Sequence, residues 1–129
     1  MDQETLLAEQ IRDGRRFASA LVSNGFPVLA TFWAKLDEAS KWYFYVVSPI
    51  VEKEGARAAY RQMQPVMGKL QEEGFWIDPF EIKAVGPEEP LASAALETQH
   101  VSRSLPTRIT GARFGNSTVE GAYIYPPIQ

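Results

Sequence analysis

Residues 26–36, FPVLATFWAKL, and residues 41–47, KWYFYVV, stand on either side of the short polar segment DEAS at 37–40. Both runs are rich in β-branched and aromatic side chains, and a four-residue polar break between them is turn chemistry, so the pair predicts a β-hairpin. What flanks it is helical. Residues 3–23 place Leu7, Ile11, Phe17, Ala18 and Leu21 at three- and four-residue steps, with Glu9, Arg12, Asp13, Arg15 and Arg16 largely on the other side. Thr5 suits a cap for a shorter version of this helix, and Asn24-Gly25 suits its end.

Beyond the hairpin, Ser48-Pro49 suits a cap and first helical position. Ala56, Ala59, Tyr60, Met63, Val66, Met67 and Leu70 then continue a second helix to about Glu73. Pro65 in its middle predicts a kink, and Gly74 closes it. A third strand is expected around residues 80–85. A short helix follows, with Pro90 in its first turn and Glu88 and Glu89 at its positive end, and then a loop, ETQHVSRSLP. The chain closes on TRITGARF and STVEGAYIY, two alternating runs joined by Gly115-Asn116, a strong two-residue hairpin turn. The order α-β-β-α-β-α-β-β defines an α+β fold: one domain over residues 1–129, a mostly antiparallel sheet of about five strands, and two main helices on one face. The second and third strands, joined through the long helix, suit a right-handed parallel crossover.

Several function classes are disfavoured by composition. The 129 residues contain no cysteine and a single histidine, His100, which removes thiolate chemistry, disulfides and multi-histidine metal sites. Absence of cysteine also fits a reducing, cytoplasmic compartment. The N-terminal residues are acidic where a signal peptide is basic, and the longest apolar stretch, FPVLATFWA, is far short of the about 20 residues a membrane-spanning helix needs. A net charge of −3 opposes general attraction to nucleic acid or anionic membrane. The charge is uneven: residues 69–97 hold two basic and seven acidic side chains, and residues 98–129 hold three basic and one acidic.

Strand parity points to one candidate surface. A turn at Gly115-Asn116 pairs Arg108 with Tyr123 and puts Tyr125 on the same side, leaving Ile109, Ala122 and Ile124 for the core. In the first hairpin, pairing Lys35 with Lys41 puts Val28, Ala30, Phe32, Trp42, Phe44 and Val46 on one face and Trp33, Tyr43 and Tyr45 on the other. With both helices covering one side of the sheet, the opposite side is expected to display Trp33, Tyr43, Tyr45, Arg108, Tyr123 and Tyr125. A surface that aromatic needs a purpose. Three uses fit it. The first is that a second copy of the chain packs there, or that the chain's own third helix and C-terminal tail do, since Tyr and Arg suit partly wet contacts. The second is a ring-lined pocket in which Arg108 or Arg113 orients an anionic small molecule. The third is a stacking platform for single-stranded nucleic acid, against which the acidity counts. The leading expectation is a homodimer acting by association, with anionic-ligand binding as the alternative and no cofactor or metal implied.

Candidates for catalysis are sparse. Glu81-Ile82-Lys83 resembles the (D/E)xK signature of Mg²⁺-dependent nucleases, with Asp37 or Asp78 needed as a second carboxylate, but alternating charges on an exposed strand edge explain it equally. His100 lies in no nucleophile arrangement, and the acidic residues from Glu72 to Glu89 lack the spacing of a Ca²⁺ loop. Met63 and Met67 read as core, and Arg12, Arg15 and Arg16 as a helix surface compensated by Glu9 and Asp13.

Overall fold

The computed structural model describes residues 6–37, 40–75, 77–114 and 117–128. The chain is α+β, with helices α1 (Ala8–Ser23), α2 (Pro49–Glu54), α3 (Ala56–Glu72) and α4 (Pro90–Val101). Five strands, β1 (Ala30–Lys35), β2 (Tyr43–Val47), β3 (Ile82–Val85), β4 (Thr107–Phe114) and β5 (Ser117–Ile124), form one sheet in the order β3-β2-β1-β5-β4. Every neighbouring pair is antiparallel except β2 with β3, which are parallel, as a connection through a helix requires. Thr5 and the turn residues Gly115 and Asn116 lie outside the described residues.

Helices α1 and α3 cover one face of the sheet. Phe17 and Leu21 of α1 and Met63 and Met67 of α3 pack on Phe44, Trp33 and Ile82. Gly14 lets α1 come this close: a Cβ there would stand 2.3 Å from Tyr125 Oη and 2.8 Å from Phe44 Cε1. The second face is also covered. Leu91, Ala92 and Ala95 of α4 pack on Phe32, Tyr45, Val47 and Ile124. Small residues on α4 let its axis approach the sheet, and Gln99 Nε2 ties its C-terminal half to the Leu29 carbonyl at 2.7 Å.

Two expectations about the helices are corrected. The second helix is interrupted at Gly55, which takes φ 94° and ψ 160°, a conformation open essentially to glycine, and separates α2 from α3. Helix α3 runs through Pro65, which lies with Arg61 on the exposed side, where water can serve the carbonyl that a proline cannot bond. Helix α4 extends to Val101, so residues 97–101 are helical; Glu89 caps it by accepting from the Ala92 N–H at 2.9 Å.

Of the two sheet edges, β3 is closed by a side chain. The Tyr60 hydroxyl of α3 donates to the Ile82 carbonyl at 2.9 Å and accepts from the Ala84 N–H at 3.0 Å, filling the place of a neighbouring strand.

Candidate functional site

The first hairpin pairs one residue out from the expected register. Trp33 faces Phe44 and Phe32 faces Tyr45. A slip of one moves every side chain of a strand to the other face. The row Ile82–Phe44–Trp33–Tyr123–Arg108 therefore crosses all five strands on the α1 side of the sheet, and the row Lys83–Tyr45–Phe32–Ile124–Thr107 crosses them on the α4 side. The six expected site residues do not share a surface. Trp33, Arg108, Tyr123 and Tyr125 lie on the α1 side, and Tyr43 and Tyr45 on the α4 side, where Tyr45 stacks on Phe32 with centroids 4.7 Å apart. Trp33, Tyr45 and Tyr125 are buried. Among the described residues no bare aromatic face is left, because both faces of the sheet carry helices.

In the second hairpin the expected register holds, but its parity changes at Gly111. This residue takes φ 54°, and past it Phe114 and Val119 pack into the α4-side core. A left-handed residue inside a strand turns the following side chains, which alternation alone does not foresee.

What remains of the expected site is a cleft. Helices α1 and α3 cover the β1, β2 and β3 end of the sheet and stop short of β4, so the floor beside α1 is open. Tyr123 is half-buried there, and the Arg108 guanidinium lies over its ring at 4.9 Å. The cleft encloses about 650 Å³, with Ile11, Leu70 and Pro106 as apolar wall and Arg12, Arg15 and Arg16 along its α1 side.

The back of the cleft is held by a buried relay. Trp33 Nε1 donates to Tyr125 Oη at 3.0 Å, and Tyr125 Oη donates to the Ile11 carbonyl at 2.7 Å, locking β5 to α1. Burial pushes the Tyr125 phenol well above its usual range, against the lowering effect of the Trp33 hydrogen bond. Beside it Arg15 Nη1 donates to the Pro126 carbonyl at 3.2 Å. Arg16 reaches Asp13 at 3.0 Å and Glu73 at 3.5 Å, tying α1 to the end of α3. Asp13 is buried, contrary to its expected place on the polar side, and takes both Arg16 and Arg12, the latter at 3.5 Å. Arg12 nevertheless keeps 59 % of its side chain exposed at the rim, and Arg108 is exposed above Tyr123. The i, i+3, i+4 spacing of Arg12, Arg15 and Arg16 was the available sign that these side chains share one flank of the helix.

Asp78, Glu81 and Lys83, weighed for catalysis, are engaged elsewhere. Asp78 accepts from the Phe80 N–H at 3.0 Å, Glu81 pairs with Lys41 at 3.8 Å, and the Lys83 ammonium sits 4.5 Å over the Tyr43 ring. Burial and Asp78 raise the Glu81 carboxyl above its ordinary value, opposed by Lys41. His100 is exposed in the last turn of α4. Among the described residues no three His, Asp or Glu side chains gather as a metal-binding group, and no helix is long and apolar enough to cross a membrane. No family model, curated protein or solved structure matches this chain.

Proposed function

We propose that the chain is a binding module for a small anionic molecule with a flat apolar body, seated between α1 and the β4–β5 floor. The observation that carries this is a cleft of about 650 Å³ floored by Tyr123, with the exposed guanidinium of Arg12 at its rim and that of Arg108 over the Tyr123 ring at the edge of the floor. The volume suits a drug-sized ligand, and an apolar lining with a few placed cations is what such a ligand needs. The apolar body lies against Ile11, Leu70 and Pro106. The anionic group meets Arg108 and Arg12, because Arg15 and Arg16 are held by Pro126, Asp13 and Glu73. The homodimer expected from sequence rested on a bare aromatic face; with that face covered, ligand binding has the better-defined surface.

Calorimetric titration with 1-naphthoate and its neutral amide tests this. The carboxylate is expected to bind more tightly than the amide, and Arg108→Ala to weaken it by about tenfold, the worth of one charge-assisted hydrogen bond. Binding is expected to weaken as salt rises. If a panel of aryl and alkyl carboxylates neither binds nor raises the melting temperature, or if the amide binds equally well, the proposal is wrong.

A further inference from the structure

A second, smaller pocket lies roughly 7 Å further along β5, two residues from Tyr123 toward Gly121. It encloses about 260 Å³. Its distinguishing group is Lys35, the last residue of β1, which is 2 % exposed. The ammonium donates to the Asp37 carbonyl at 2.8 Å, and no carboxylate among the described residues forms an ion pair with it. An ammonium has three donors and carries a full charge, and burying it with one neutral acceptor is costly unless something else completes its shell. Arg108 lines the same pocket and adds a second cation, Thr110 adds a hydroxyl, and Glu120 supplies one negative charge at the exposed side. Two cations against one carboxylate leave a net charge of +1, which matches a monoanion better than a dianion. The apolar side suits a short carbon skeleton: Trp42 lies so close to Gly121 that a Cβ there would stand 2.7 Å from Trp42 Cη2, and Leu6 is part of the same wall.

We infer that this pocket binds a small monocarboxylate, its oxygens on Lys35 Nζ and Arg108 and its carbons against Trp42. The pocket adjoins the larger cleft at Arg108, which either ligand would engage, so Lys35, which lines this pocket and not the cleft, is the group that tells the two sites apart.

The probe is acetate, with acetamide as its neutral counterpart, inorganic phosphate as the alternative anion, and chloride keeping ionic strength constant. Wild-type protein is expected to show a saturable rise in melting temperature with acetate up to about 100 mM and none with acetamide. Lys35→Met, which keeps the length of the side chain, is expected to raise the half-effect concentration at least about tenfold, while Lys41→Met, at an exposed lysine, leaves it unchanged. Should Lys35→Met fail to fold, NMR of wild-type protein with ¹³C-labelled lysine decides instead: the Lys35 Cε signal shifts saturably with acetate and those of the other lysines do not. A non-saturable effect, an effect identical in Lys35→Met, a response to phosphate without acetate, or a stationary Lys35 signal overturns the assignment.

Discussion

Gly14 shows how a single missing methyl group sets the distance between two layers. Helix propensity alone favours Gly14→Ala, by about 1 kcal/mol. The Cβ would meet Tyr125 Oη, Phe44 and Trp33 Nε1 within 3.0 Å, and Tyr125 and Trp33 are already committed to each other. Overpacking of this kind costs about 1–3 kcal/mol, so Gly14→Ala is expected to lower the urea midpoint. Gly68→Ala, inside α3 with nothing within 4 Å of its Cβ, is expected to raise it by an amount near the propensity gain. Tyr45 makes a second prediction at this scale. Burial, with smaller contributions from Glu89, Tyr43 and Tyr60, pushes its phenol from 10.0 to about 12. The unfolded chain therefore ionises first as pH rises. The stabilising contribution is whole below pH 10 and is lost through the window up to about 12. Urea midpoints across that window are expected to fall less steeply in Tyr45→Phe than in wild type, and equal slopes would refute the assignment.

Among the elements, the helix expected to run unbroken to about Glu73 is divided at Gly55, while Pro65 lies within α3. A proline on an exposed flank frees a carbonyl that water can reach, whereas a residue at φ 94° and ψ 160° leaves the helix altogether. Gly55→Ala is accordingly expected to destabilise by about 1–3 kcal/mol, measured by denaturant melts, although nothing lies within 4 Å of its Cβ. The cost is conformational, not steric crowding. Strand β1 explains the register error in similar terms: all six of its residues are buried, including Lys35. Alternation marks a strand with one wet face, so a strand buried on both faces offers no parity to read. The Gly115-Asn116 signal fixed the second hairpin's pairing more firmly, because a two-residue turn admits one register.

For the molecule as a whole, the consequential element is α4, which covers the face that a second copy of the chain or this helix was expected to cover. It turns an expected two-layer arrangement into three layers and removes the bare face. Ala95 lies at its centre, fully buried against the sheet, and Ser93 on its exposed side. Ala95→Asp is expected to cost about 3 kcal/mol or more by burying an unpaired carboxylate, and Ser93→Asp close to nothing. Equal thermal stability of the two variants would mean that α4 does not cover this face.

Local chemistry determined the first helix, the order of helices and strands along the chain, the final hairpin's pairing and the α+β class. Each follows from residue spacing or turn type within a few positions. Arg108 and Tyr123 were legible as a pair for the same reason. Which face each ring took, how α1 stopped short of β4 to leave a cleft, and why Lys35 is buried were decided only in three dimensions. Those outcomes depend on which layer each helix covers, and packing between elements distant in sequence leaves no periodic trace in either one.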